Sequence, residues 1–273
     1  MDKSIIADLA NKAKKIRKHC LDMTFSQGSK GAHIGGALSL VEIMAVLYGH
    51  ISTLGVTGLD EDRDRIILSK GHGAMAMYSA MKEFGVLTAS DLETFKKNDS
   101  FLSAHPSLNR EHRLEYASGS LGQGLSIAVG VSLGLKRKNN NKSKIYVILG
   151  DGECDEGSVW EAAQSAAHFN CNNITAIIDN NKLQYDGATS NIMSQGDFAA
   201  RWSSTGWIAT EVDGHSIPEL LQALSASHDK PLVVFADTIK GKGVSFMENN
   251  PEWHNHSLTA EQYKNAMDEI SAI

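Results

Sequence analysis

Apolar positions recur along this chain with two different periods, and the switch between them sets out the elements. Residues 4–26 place Ile5, Ile6, Leu9, Ala13, Ile16 and Cys20 on one face at helical spacing. A glycine-rich turn, 28–36, leads to a second apolar helix expected over 38–48. The short run 65–69 predicts a strand ending at Lys70-Gly71-His72-Gly73, and a helix follows over 74–84. Another helix starts at Thr88, with Asp91 three residues on as in a capping box. From Gly119 the alternation is regular. A turn at 119–124 opens a helix rich in small residues up to Leu135, 144–149 is a buried strand, 156–169 a helix, and 173–178 the next strand. Strands at 207–212 and 232–236 flank a helix over 217–227, and a polar helix over 259–271 begins with Thr259, Glu261 and Gln262. Strands alternating with helices imply a mostly parallel sheet with helices on both faces. The expected fold is therefore doubly wound α/β, with residues 1–273 as one domain and the chemistry beyond the carboxyl ends of the strands.

Composition narrows the partners. The net charge of −6 supplies no field that would favour nucleic acid or an anionic membrane. The one basic run, Lys136-Arg137-Lys138, reads as a solvated loop after a helix. Cys20, Cys154 and Cys171 are odd in number and lack CxxC spacing, which argues against a disulfide framework and a structural zinc site. No apolar stretch approaches the ~20 residues that span a bilayer, and the N-terminus lacks a signal-peptide pattern. A cytoplasmic protein is expected.

The strand at 144–149 runs directly into Gly150-Asp151-Gly152, and the strand at 173–178 into Asp179-Asn180-Asn181. One helix separates them, so a right-handed βαβ unit returns Asn181 to the sheet edge that carries Asp151. A carboxylate, an amide oxygen and a nearby backbone carbonyl then converge, an oxygen-only set suited to Mg²⁺ or Ca²⁺ and not to zinc. Such a site leaves positions open for phosphate oxygens, and Gly152 lets backbone amides approach them. An isolated Gly-Asp-Gly is most often a simple turn; its pairing with the two asparagines is the more specific signal. No G-x-G-x-x-G opens a helix and no GxxxxGK[ST] occurs, so dinucleotide and P-loop readings lack their main support.

The pairing resembles the thiamine diphosphate fingerprint, GDG followed about 30 residues later by NN or DN. Four further segments resemble the transketolase family in the same order along the chain: Gly31-Ala-His-Ile-Gly-Gly36, Leu68-Ser-Lys-Gly-His-Gly73, Gly119-Ser-Leu-Gly-Gln-Gly-Leu-Ser126, and Gly150 to Gly157 with Trp160-Glu161-Ala162. Residues 180–189 match the segment that follows the fingerprint.

The resemblance implies a role for each matched position. Asp151 and Asn181 would ligate the metal with the carbonyl of Leu183. His72 and Gly152 would contact the diphosphate, and Gly119 and Leu121 would lie against the aminopyrimidine. His33 and His105 would face the substrate, and His254 would lie over the diphosphate or a donor oxygen. Glu156 and Glu161 would join carboxylates crossing a subunit interface. Ketol transfer moves protons on and off hydroxyl groups, a task suited to imidazoles. His256 competes with His254, whereas His19, His50, His112, His168, His215 and His228 read as structural or surface residues, and Cys154 as a packing residue. Ile34 replaces the family's usual proline, and no glycine precedes His105.

Family members continue into a pyrimidine-binding domain that this sequence does not contain. The sequence is therefore expected to be either a fragment of a longer chain or, as its finish on 268–273 favours, the natural diphosphate-binding half of a split transketolase. It is expected to transfer ketol units between sugars or their phosphates. Its partner would be a separate C-terminal subunit, in an α₂β₂ assembly. The alternatives are a 1-deoxyxylulose-5-phosphate synthase-like enzyme, a sulfosugar transketolase and a non-catalytic thiamine diphosphate-binding subunit.

Overall fold

A computed structural model describes residues 2–54 and 58–272. Runs rich in Ile, Val and Leu form five strands: β1 (Arg65–Leu68), β2 (Ile145–Gly150), β3 (Ile174–Asn180), β4 (Ile208–Asp213) and β5 (Leu232–Asp237). All pair in parallel, in the order β1-β2-β3-β5-β4. The chain advances from β1 to β3, skips to the edge at β4, and steps back to β5.

The helices are α1 (Lys3–Ser26), α2 (Ile34–Leu38), α3 (Val41–Val46), α4 (Ala74–Glu83), α5 (Ala89–Leu92), α6 (Gly124–Arg137), α7 (Gly157–His168), α8 (Thr189–Ile192), α9 (Phe198–Ser204), α10 (Ile217–Leu224) and α11 (Ala260–Ala272). Right-handed crossovers put the helices of forward steps on one face and those of backward steps on the other. The helices that lead directly into β2, β3, β4 and β5 (α6, α7, α9 and α10) follow that rule, and α1, α3 and α4 join α10 on its face. Ile67, Val147, Ile178 and Phe235 point towards α6, α7 and Trp202 of α9. Their neighbours Ile66, Ile148, Ile177 and Val234 point to the opposite face, towards α1, α3, α4 and α10. A period of two along each strand thus feeds two separate apolar layers. The fold is the doubly wound α/β architecture expected.

Local differences have local causes. The helix expected over 38–48 instead starts at Ile34, breaks at Ser39–Leu40 and ends in a wider π-type turn at Leu47–Ile51. At the break, the Ser39 hydroxyl donates to Asp179 Oδ2 at 2.6 Å, a buried bond that a continuous helix was not expected to serve. Lys136 and Arg137 form the last turn of α6 and are not loop residues. Their charge complements the helix dipole, and Lys136 Nζ caps the carbonyls of Phe169 and Asn170 at 3.0 and 2.5 Å. Both expected helix starts are formed: Thr88 and Asp91 exchange backbone–side-chain bonds at 2.7 and 3.1 Å. Thr259 and Gln262 do likewise at 3.0 and 3.1 Å. Among the described residues, no helix is long and apolar enough to cross a membrane.

Candidate active site

The carboxyl ends of β1, β2, β3 and β5 open into one cavity of about 250 Å³. Register explains the meeting of its two central residues. Gly150 of β2 lies opposite Asp179 of β3, so Asp151 and Asn181 leave the sheet side by side. Both are buried. Asp151 Oδ1 accepts from the Gly152 amide at 2.8 Å; its Oδ2 accepts from the Lys182 amide at 2.7 Å and from Thr189 Oγ1 at 3.2 Å. Burial, and then the neighbouring Asp179 charge, push the Asp151 carboxyl above the usual range. Asn181 is oriented by Asp179, to which its amide donates at 3.1 Å, and its Oδ1 accepts from the Leu183 amide at 3.1 Å.

These donors fit a hard divalent cation. A desolvated carboxylate without a described ion pair gains from a positive charge beside it, and the amide and carbonyl oxygens add neutral ligands. Among the described residues no three His, Cys, Asp or Glu side chains are grouped so that they could hold a metal ion, so the set depends on the amide and the carbonyl. The Leu183 carbonyl accepts from Lys240 Nζ at 3.1 Å, and a carbonyl oxygen has a second lone pair to offer.

The imidazoles of His33, His72, His105 and His254 face the same space. His33 lies 5.2 Å from His105 and 5.4 Å from His254, and His72 lies 5.2 Å from His254, measured between ring centroids. Glycines make this crowding possible. A Cβ on Gly31, which has φ +56°, would come within 2.6 Å of the His256 backbone, and one on Gly35 within 2.7 Å of Trp253 O. The two bare positions admit the 250–256 segment, which pairs through the Ala32–His256 bridge and carries His254 to His33. Ile34, where a proline was expected, starts α2 and is fully buried. His256 packs on Trp253, with ring centroids 4.6 Å apart, and of the two histidines His254 is the one that lines the cavity.

Burial depresses the basicity of all four rings. His33 is held at about 4 by burial, and then by His105 and two lysines, and His254 at about 3 by burial, and then by Lys240. Burial likewise pushes His72 well down, with Lys70 adding to it, and lowers His105. The four imidazoles are neutral at pH 7, each with one acceptor nitrogen, which in His254 is Nδ1, facing the Lys240 ammonium.

Gly119, Leu121 and Gly152 also line the cavity. Glu156 and Glu161 do not: both are exposed, at and beyond the N-terminus of α7. The burial of Cys154 holds its thiol far above the ordinary range, in keeping with a packing role.

Sequence reasoning missed a second layer of charge. Fully buried Asp179 accepts from Lys70 Nζ, Ser39, Thr238 and Asn181. Burial pushes its carboxyl up, but Lys70 and these donors outweigh it and hold Asp179 below the usual range. Glu153 accepts from Ser69 Oγ, and from the Gly122 and Gly150 amides at 2.8 and 3.0 Å, thereby fastening the 119–124 turn to the Gly-Asp-Gly corner. Lys240 Nζ lies 3.0 Å from His254 Nδ1, and burial, then Lys70, lower it to about 8. Lys70, Glu153 and Asp179 each sit inside or beside a motif already singled out; Lys240, three residues beyond β5, carries no such signal.

Comparison with known proteins decides the family. Residues 10–271 match the family model described as "Transketolase, thiamine diphosphate binding domain". The chain belongs to the transketolase family. It is 36% identical over 267 residues to the 6-deoxy-6-sulfo-D-fructose transketolase subunit SqwG of Clostridium sp. (strain MSTE9), and 37% identical over 266 residues to an apulose-4-phosphate transketolase subunit of Actinobacillus succinogenes. Each match covers 96% of both chains. Human transketolase is 35% identical over 98% of this chain, which spans 43% of that protein. Among solved structures, the transketolase of Campylobacter jejuni superposes with a TM-score of 0.88 at 27% identity, covering 99% of this chain and 43% of that one. The cavity thus lies in a thiamine diphosphate-binding domain of the transketolase family.

Proposed function

We propose that this transketolase-family chain is the diphosphate-gripping subunit of a two-chain enzyme. The enzyme moves a two-carbon ketol unit from a ketose, or its phosphate, to an aldose. The observation that carries this reading is the convergence of Asp151, Asn181 and the Leu183 carbonyl with four neutral imidazoles in one cavity. Relatives of matching length are named as subunits.

In this reading Asp151, Asn181 and Leu183 O hold Mg²⁺ (or Ca²⁺), and Gly152 and His72 meet the diphosphate, with the buried Lys240 and Lys70 adding positive charge nearby. Gly119 and Leu121 flank the aminopyrimidine. When bound, thiamine diphosphate supplies a carbon nucleophile and an electron sink for cleaving the bond beside a ketose carbonyl. His33, His105 and His254 accept or return the hydroxyl protons of the sugar. His254 and His72 are depressed first by burial and then by the lysine charges beside them, and a diphosphate bound near Lys70 and Lys240 would offset that second contribution.

The pyrimidine-binding half and its acid come from a second subunit, and exposed Glu156 and Glu161 belong to the contact between subunits, in an α₂β₂ assembly. The chain acts as one domain in the cytoplasm, where its three buried free cysteines stay reduced. The test is transfer by the co-purified pair with Mg²⁺ and thiamine diphosphate. Because the two subunit relatives are named for different sugars and match equally well, the donors include a sulfofructose, apulose 4-phosphate and common ketose phosphates. Ketol transfer with any of these supports the proposal. Cofactor binding without turnover on every donor would turn it towards a non-catalytic carrier.

A further inference from the structure

Asp155 lies outside the cavity lining, yet its carboxylate bridges two distant points of the segment that follows β3. Oδ2 accepts from Gln184 Nε2 at 2.9 Å and Oδ1 accepts from Gln195 Nε2. The circuit then closes on itself. Gln195 Oε1 accepts from Arg201 Nη1 at 2.7 Å, and the Arg201 guanidinium stacks 3.7 Å above the Trp160 ring. Trp160 Nε1 donates at 2.8 Å to the carbonyl of Cys154, the residue before Asp155.

What this circuit holds is the short hairpin that presents the Leu183 carbonyl. The hairpin is otherwise held at its base by the Leu183–Ala188 bridge and the 2.8 Å bond from the Gln184 amide to Gly187 O. On its backbone it is held by Lys240 Nζ, which donates to the carbonyls of Leu183 and Gln184 at 3.1 and 3.2 Å; the Asp155 circuit adds the hold on the Gln184 side chain. The side chain of Gln184 lies flat on Gly152, where a Cβ would approach it to 2.6 Å. Fixing Gln184 therefore fixes the hairpin against the Gly-Asp-Gly corner.

We infer that Asp155 is a positioning residue, a latch that clamps residues 183–195 over the Gly150–Gly152 corner and so presets the Leu183 carbonyl and Gln184 for metal and diphosphate. The inference rests on the functional reading above for what the hairpin presents, but the latch itself is a property of this chain. Holding a loop in its bound conformation saves the ordering cost at the moment of binding, and a loosened loop loses affinity to that extent.

The test uses the full-length chain and two readouts. In Asp155→Ala, backbone amides of 184–195 exchange with deuterium about tenfold faster while those of β2 and β3 keep their protection. The Kd for thiamine diphosphate at saturating Mg²⁺ rises about tenfold. Gln195→Ala, remote from the cavity, moves both readouts the same way by less, and Asp155→Asn restores part of each. Asp155→Ala with Gln195→Ala is no worse than Asp155→Ala alone, because both act through one linkage. Unchanged local exchange overturns the latch. Faster exchange with unchanged affinity overturns its positioning role. Should Asp155→Ala lose protection across the whole sheet, Gln195→Ala decides by the same two criteria. If the wild-type chain together with its pyrimidine-binding partner binds no thiamine diphosphate at any Mg²⁺ concentration, the functional reading fails, while the exchange result still judges the latch.

Discussion

Asp151 and His33 illustrate how differently two residues of one cavity contribute. Asp151 brings the only formal charge to the proposed ligand set, since Asn181 and Leu183 offer neutral oxygens. Asp151→Ala is expected to abolish Mg²⁺-dependent binding of thiamine diphosphate in calorimetry; retained affinity would remove Asp151 from the metal site. In the proposed function His33 faces the substrate, so His33→Gln should leave that affinity nearly intact and lower turnover by ~10²-fold or more, the scale for losing a proton-transfer group. The same variant has a signature in stability. The His33 imidazole titrates near 4 when folded, against about 6.5 for an exposed imidazole. Between those values the unfolded chain binds a proton that the folded chain refuses, so the contribution of His33 to stability rises with pH across that window and is lost as pH falls. Denaturant unfolding from pH 4 to 7 should therefore give a shallower pH dependence for His33→Gln than for the wild type. Parallel curves would mean that His33 is not held neutral by the fold.

The elements around these residues were legible to different depths. Strand ends and motif turns were readable because chain chemistry forces them: β-branched runs stop at Gly150-Asp151 and at Asp179-Asn180-Asn181, and the βαβ unit leaves little freedom in where those corners meet. The break at Ser39 was not readable, because an apolar run is equally compatible with one helix or two. What decides it is Asp179, 140 positions away, whose need for hydrogen-bond donors no local pattern records. Lys240 was hidden for the same reason, and His254 was separable from His256 only once Gly31 and Gly35 admitted the 250–256 backbone. The buried layer of Lys70 and Asp179 gives an element-scale prediction. Lys70→Met leaves a fully buried carboxylate with neutral donors alone, and removing one partner of such a pair costs about 3–5 kcal/mol. At roughly 2–4 °C per kcal/mol for a chain of this size, the melting temperature should fall by about 10 °C. A change below about 2 °C, less than the shift for a single kcal/mol, would show that Asp179 takes up a proton or is otherwise satisfied without Lys70.

At the scale of the whole molecule, the proposed function makes the cavity one wall of a divided site. Its carboxylates are Asp151 and Glu153, and both oxygens of each already accept hydrogen bonds from backbone amides or hydroxyls. Neither is free to protonate a cofactor ring, so among the lining residues no acid serves the aminopyrimidine side. Tyr185 of the cavity lining is 68% exposed, and Ile192 and Met193, further along the same segment, are 44% and 58% exposed. Exposed apolar side chains on the segment bordering a polar cavity are suited to being covered by another protein surface. The chain spans 43% of human transketolase but 96% of each of the two relatives named as subunits, and in the proposed two-chain enzyme the covering surface is the partner subunit. Purified alone, the protein should bind thiamine diphosphate weakly and show no ketol transfer. Mixed with the subunit that carries the pyrimidine-binding domain, it should gain both affinity and turnover, with a mass in light scattering of two copies of each chain and two-fold symmetry. Full turnover by the isolated chain would refute the divided site. A one-to-one complex with full activity would keep the division and discard the α₂β₂ arrangement.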